Sequence, residues 1–288
     1  MSRKALVLGG GGVLGISWET GILAGLLESG IDTGDADLIV GTSAGSVVGS
    51  QIATGRTIED LFREQLKPSD AGLRDLEFDL ANLMFVLAKW TSFPELNEEA
   101  CRQIGAMALA SRTISEERWL EVFSDLEDKP WPERPLLVTA VDAKSGAFRA
   151  WDRSAGIPLR LAVASSCAVP GIFPPVTING RRYVDGGVRS GTCAHLAEGY
   201  QAVLIVAPIG SGSIGLDPVM GRIARAEADA LRSRGSHVEL VFPDAEALDA
   251  IGINRMDATR RTQTAEAGLR QGKALATAIA GLWEKTAA

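Results

Sequence analysis

Apolar residues fall in short runs separated by glycine turns and helical stretches. Ala5 to Leu8 is a short buried strand that breaks at Gly9, and Ile16 to Leu27 then recurs at helical spacing, with Ile16, Leu23, Leu26 and Leu27 on one face. Asp37 to Val40 is a second apolar strand, followed by Gly41-Thr42-Ser43-Ala44-Gly45 and a helix of small residues through Ala53. Two strand–turn–helix units in succession predict a layered α/β fold. Residues 58–125 read as mostly helical. Within them Leu76 to Trp90 is strongly apolar, and Leu80, Leu83, Met84 and Leu87 recur at helical spacing. That stretch suits either a core-packed helix or a cap that covers a site and touches lipid.

Further along, Leu136 to Asp142 is a strand, and Ala147 to Trp151 pairs with it through Lys144-Ser145-Gly146. Leu159 to Ser165 is helical, and the prolines of Val169 to Pro175 forbid its continuation. Arg182 to Val184 and Ala202 to Ala207 are strands, Met220 to Ser233 is a charged helix, Val238 to Phe242 is a strand, and Asp257 to Trp283 is a long helix. The chain shows no repeat, low-complexity tract or linker. The expectation is one domain over 1–288, with a motif-bearing core at about 5–210 and a helical C-terminal part at about 216–288.

Composition narrows the function classes. Lys and Arg total 29 against 36 Asp and Glu, a net charge of −7. An acidic chain without basic clusters does not suit nucleic acid as a partner. Cys101, Cys167 and Cys193 are too few and too scattered for a disulfide framework or a zinc site, and read as buried thiols of a reducing compartment. Arg3 and Lys4 precede an apolar run, but it breaks at once into glycine, so a strand explains it better than a signal peptide. No stretch reaches the roughly 18 apolar residues of a membrane span. A soluble, cytoplasmic protein is expected.

Two glycine-rich segments carry candidate chemistry. Gly41-Thr42-Ser43-Ala44-Gly45 has the GxSxG pattern between a buried strand and a helix, the setting of a nucleophile elbow. A sharp turn there presents the Ser43 hydroxyl, and the helix N-terminus favours a developing oxyanion. The plain alternative is a serine that caps a helix. Gly9 to Gly12, with Gly15, form a loop whose exposed N–H groups suit a phosphate or a transient oxyanion. As GxGxxG, Gly10, Gly12 and Gly15 would suggest a dinucleotide site. However, the same spacing recurs at Gly210, Gly212 and Gly215, and the acids Asp32, Asp35 and Asp37 precede the second strand instead of ending it.

The nucleophile needs a base. The order Ser43, Asp185, His237 formally suits a triad, but His237 opens an alternating strand and His195 lies on a helical segment, where structural roles fit both. Asp185, ending a strand before Gly186 and Gly187, is the remaining carboxylate of interest, or else the first residue of an Asp-Gly hairpin turn.

Taken together, GGGGVLG at 9–15, GTSAG at 41–45, ASSCAVPGIFPPV at 164–176 and DGG at 185–187 resemble the patatin-like phospholipases of bacteria in order and spacing. The resemblance covers roughly residues 5 to 210. It implies a three-layer α/β/α sandwich with a mostly parallel central sheet. It also implies a Ser–Asp dyad of Ser43 and Asp185 that cleaves acyl esters through an acyl-serine, without cofactor or metal. The N–H groups of Gly10, Gly11 and Gly12 would form the oxyanion hole, and Gly15, Gly41, Gly45, Gly186 and Gly187 are the motif glycines. The implied partner is a lipid or other acyl ester, with peripheral contact at a membrane. Leu14 stands where the family usually carries Arg or Lys, and the Asn and Pro that often follow DG[GA] are absent from Arg189 to Cys193. Two further classes stay open: a nucleotide-binding α/β protein and a catalytically silent module of the same fold.

Overall fold

The computed structural model describes residues 3–68, 80–212 and 215–283. Among the described residues, eight strands form one mixed, mostly parallel sheet. In chain order they are β1 (Lys4–Leu8), β2 (Leu38–Gly41), β3 (Leu136–Asp142), β4 (Phe148–Trp151), β5 (Val176–Ile178), β6 (Arg181–Asp185), β7 (Ala202–Val206) and β8 (His237–Val241). The strand order is β5-β6-β3-β2-β1-β7-β8, with β4 also on β3. β8 to β3 run parallel, while β4, β5 and β6 enter antiparallel.

Alternation along the central strands assigns the two faces. Leu6, Leu8, Leu204 and Val206 face a core shared with α1 (Gly12–Glu28), α2 (Ala44–Ala53), α7 (Leu159–Ser166) and α10 (Arg261–Trp283). Ala5, Val7, Val203 and Ile205 face the opposite layer, which contains Ala228 and Leu231 of α8 (Asp217–Ser233). Burial on both faces is why these strands carry unbroken apolar runs. The C-terminal part therefore supplies a strand of the sheet as well as helices. It also closes over α1. A Cβ on Gly21 or Gly25 would fall 2.1 or 2.2 Å from the carbonyls of Ala265 and Leu269, and one on Gly268 or Gly272 would fall 2.4 Å from those of Trp18 and Ile22. Four glycines thus let the α1 and α10 backbones touch.

The pairing around β3 positions the site. β4 occupies one edge of β3 from Val138 to Val141. The other edge is divided: Leu136, Leu137 and Val138 pair with β2, and Ala140, Val141 and Asp142 pair with β6 running the opposite way. The ends of β2 and β6 therefore meet at Thr139.

Several expectations are revised. α1 begins at Gly12, inside the glycine run, not at Ile16. β5 and the short α9 (Ala245–Ile251) emerge from segments with no sequence assignment, and the last helix starts at Arg261 after a 3-10 turn. Between α2 and β3 lie α3 (Ile58–Gln65), α4 (Leu80–Ser92), α5 (Glu98–Ala110) and α6 (Glu116–Glu121). The apolar stretch at 76–90 is described only from Leu80 onward, as α4, and its residues 76–79 lie outside the described residues. Val86 and Trp90 are buried, whereas Met84, expected on the apolar face, is exposed.

Candidate active site

At the end of β2 the chain turns sharply into α2. Ser43 takes φ 52° and ψ −118°, a strained conformation for a residue with a side chain. Glycines make the turn feasible. A Cβ on Gly41 would lie 2.5 Å from Ser46 Cα, and one on Gly45 would lie 2.1 Å from the Leu8 carbonyl oxygen. The turn is tied to β1 by Thr42 N–H to Leu8 O (3.0 Å) and Gly45 N–H to Gly9 O (2.9 Å). Ser43 N–H donates to Ser166 Oγ at 2.9 Å, and Ser43 O accepts from Ser46 Oγ at 2.7 Å and Cys167 Sγ at 3.4 Å. The backbone of Ser43 is thus clamped, while its side chain makes no capping bond to α2. The helix-cap alternative for this serine is thereby removed. Ser43 is 7% exposed.

Asp185 ends β6 opposite Ala140 and is 3% exposed. It starts no hairpin. Instead its Oδ1 accepts Gly187 N–H at 2.7 Å across a 3-10 turn of Gly186 to Val188, and its own N–H donates to Ala168 O at 3.1 Å. A Cβ on Gly186 would lie 2.1 Å from Thr139 Oγ1, so only glycine lets the turn press on β3. Thr139 also pairs with Thr42 through their hydroxyls at 2.8 Å. Burial pushes the Asp185 carboxyl up to about 7, against smaller downward pulls from the Gly187 N–H and from hydrogen bonding to Ser43.

The glycine loop lies beside this pair. A Cβ on Gly10 would sit 3.4 Å from Ser43 Cβ. Gly9 N–H donates to Val206 O (2.9 Å), Gly10 N–H to Gly191 O (2.8 Å) and Leu14 N–H to Arg255 O (3.0 Å). Gly10 was expected among the oxyanion donors, but its N–H is already committed to Gly191. Among the described residues, the Gly11 and Gly12 amides at the start of α1 donate to no group of the chain. Gly12 adopts φ +65°, and a Cβ on it would meet Met256 Sδ at 2.9 Å. Leu14 is fully buried in the core, so this position places no charge near the loop.

The other candidate chemistry recedes. Gly210 and Gly212 donate both N–H groups to Asp217 Oδ1 (2.8 and 3.1 Å), so the second glycine loop is filled by the chain's own carboxylate, which Arg255 also pairs at 2.9 Å. His195 bonds to Glu227 and His237 opens β8. Among the described residues, no three His, Cys, Asp or Glu side chains are grouped to hold a metal, and the three cysteines are free and buried.

Sequence reasoning passed over several participants. Ser166 and Cys167 lay within the 164–176 run without a role, and Thr139 was legible only as a polar residue inside an apolar strand. Gly191 and Arg255 reach the loop across the fold and carry no local signal.

A family model described as patatin-like phospholipase matches residues 6–197. The lysophospholipase NTE1 of Phaeosphaeria nodorum is 29% identical over 207 residues, covering 72% of this chain and 12% of that protein. The lysophospholipase NTE1 of Candida glabrata is 28% identical over 182 residues, covering 63% of this chain and 9% of that protein. The chain thus spans about a tenth of the length of these relatives. Among solved structures, VipD from Legionella pneumophila superposes with a TM-score of 0.50 at 13% identity, covering 96% of this chain and 67% of that one.

Proposed function

The chain belongs to the patatin-like phospholipase family, and on that premise we propose that it hydrolyses acyl esters of lipids with Ser43 as nucleophile and Asp185 as general base. The observation that carries this reading is the meeting of a strained, non-capping serine with a buried carboxyl whose pKa is raised to about 7. A base poised near neutrality suits proton abstraction better than an ordinary aspartate.

In the first step Ser43 Oγ bonds to the acyl carbon while its proton passes to the Asp185 carboxylate. The carbonyl oxygen becomes an oxyanion and accepts the N–H groups of Gly11 and Gly12 at the α1 N-terminus. Collapse breaks the ester bond, and the departing alcohol takes the proton from Asp185. A water then gives its proton to Asp185 and attacks the acyl-serine, which releases the acid and restores Ser43. The Gly187 bond orients Asp185, and the Ser166 bond holds the Ser43 backbone. Neither histidine has a part.

A fluorophosphonate probe tests this assignment. Wild type is expected to gain one phosphonyl group at Ser43, seen by peptide mass, while Ser43→Ala gains none. Labelling elsewhere, or none in wild type, supports a silent module of the same fold instead.

The same reading extends to where substrate arrives. No described helix is long and apolar enough to cross a membrane. α4 holds one lysine and no acid in a chain with 36 acids, and it exposes Met84 (59%) and Phe85 (63%) beside Lys89. Its residues Leu87 and Trp90 join an apolar cluster that also contains Val188, the last residue of the Asp185 turn. This combination suits peripheral contact with a lipid surface. Replacing both Met84 and Phe85 by serine is expected to reduce turnover of phosphatidylcholine–phosphatidylglycerol vesicles about tenfold or more, because each loses roughly 1.5–3 kcal/mol of apolar burial. Turnover of a soluble short-chain ester should stay unchanged. Equal losses on both substrates refute the contact.

We take residues 216–283 as part of the same domain, since β8 extends its sheet and α10 seals α1.

A further inference from the structure

Gly191, which holds the Gly10 N–H, belongs to a turn that reaches the glycine loop, Thr42 and Thr139. The turn follows the Asp185 segment directly. Its Gly191 carbonyl accepts Gly10 N–H at 2.8 Å and would crowd any Cβ on Gly9, at 3.1 Å. Its Cys193 thiol lies against the hydroxyls of Thr42, beside the elbow, and Thr139 of β3. The turn is bonded within itself, with Cys193 Sγ donating to Ser190 O at 3.3 Å and Ser190 N–H to Gly186 O at 3.2 Å. Ser190 Oγ accepts the N–H groups of Cys193 (2.9 Å) and Thr192 (3.3 Å), and Cys193 is forced to φ +50°.

A further restraint, from outside the turn, comes from α8. Glu227, with a side chain only 14% exposed, reaches the turn with both carboxylate oxygens. Oε2 accepts Thr192 Oγ1 at 2.6 Å and Ala194 N–H at 2.8 Å, and Oε1 pairs with His195 Nδ1 at 3.2 Å. Burial pushes this carboxyl up, but the donors of His195, Thr192 and Ala194 outweigh it and hold the group below the ordinary range. An ionised acceptor with several donors is a strong clamp.

We propose that Glu227 is a positioning residue: by anchoring Thr192 and Ala194 it fixes the Gly191 carbonyl, which in turn aligns the glycine loop beside Ser43. The proposal rests on the hydrolase reading for its catalytic consequence but not for its structural one. Glu227 touches no reacting atom. Its influence reaches the Gly11 and Gly12 amides through Thr192, Gly191 and Gly10.

The experiment compares wild type with Glu227→Gln, Thr192→Val, Thr192→Ser and the Glu227→Gln/Thr192→Val double variant. Two quantities are read: kcat and KM on a soluble p-nitrophenyl ester, and amide exchange of residues 9–13 by mass spectrometry. Glu227→Gln and Thr192→Val are expected to lower kcat about tenfold with KM unchanged, since small misplacements of donors affect the transition state more than binding. Both should speed exchange at 9–13. Thr192→Ser, which keeps the hydroxyl, should restore both values, and the double variant should be little worse than Glu227→Gln alone. Wild-type exchange at 9–13 in Glu227→Gln overturns the proposal. So does exchange that rises evenly along the chain, or failure of Thr192→Ser to rescue. If wild type proves to hydrolyse no ester, the functional reading falls, and the exchange data still decide whether Glu227 orders the loop.

Discussion

Ser43→Ala is expected to lower kcat on a soluble ester by about 10⁴- to 10⁶-fold, and Asp185→Asn by about 10⁴-fold, with little change in KM for either. The two losses should not add, because nucleophile and base act in one step. Removing the Ser43 oxygen removes the atom that bonds to carbon. Asparagine keeps the shape of Asp185 and can still accept Gly187 N–H, but it cannot take a proton. Steady-state kinetics on the two single variants and the double variant check this. An Asp185→Asn enzyme within tenfold of wild type would leave Ser43 without its base and refute the dyad.

The second expectation concerns pH, and its sign follows from the raised carboxyl. The base works only when ionised, so kcat/KM should rise with a midpoint near pH 7 and level off above it. Stability runs the other way. Asp185 in the fold has a pKa raised to about 7 from its ordinary 3.8, so its contribution is fully present below the ordinary value and is lost as pH climbs through the folded one. Above pH 7 the ionised buried group costs a few kcal/mol, at about 1.4 kcal/mol for each pH unit that separates the folded value from the ordinary one. Asp185→Asn should therefore melt at a higher temperature than wild type at pH 8, and the gap should close toward pH 4. Thermal melts across this range check it. A gap that stays flat with pH would mean the aspartate is not desolvated as the fold implies.

Much of the fold is written locally. The unbroken runs at 5–8 and 202–206, and the largely apolar run at 136–142, become central strands because both of their faces are covered. The glycine motifs are legible for a related reason. At Gly41, Gly45 and Gly186 any side chain would collide with backbone or with Thr139, and the sequence must record that. The start of α1 was less visible, since glycine is a poor helix former and suggests a later start. Tertiary contact decides it: Leu14 N–H is held by Arg255 O, and a Cβ on Gly11 would strike Pro208 at 2.5 Å.

α4 shows a different limit. In a segment apolar on nearly every side, spacing cannot choose the inward face, and Met84 lands outside while Val86 and Trp90 go in. Within the site, Ser43 and Asp185 could be read from motifs. That Gly10 spends its amide on Gly191 could not, because the bond joins residues far apart in the chain. Arg255 and Glu227 stayed silent for the same reason.

The divided edge of β3 has a consequence for how such a chain can vary. β2 and β6 are both registered against one strand, the first up to Val138 and the second from Ala140. The spacing of Ser43 and Asp185, the proposed nucleophile and base, is thus measured along a single backbone, not across a set of loops. Changes confined to the exposed positions of α4, Met84 and Phe85 among them, leave that ruler intact. A single-residue deletion within 138–140 would instead shift one partner by a pleat and turn Thr139 to the opposite face. The architecture separates the exposed positions of α4 from a few residues of β3 whose count cannot change.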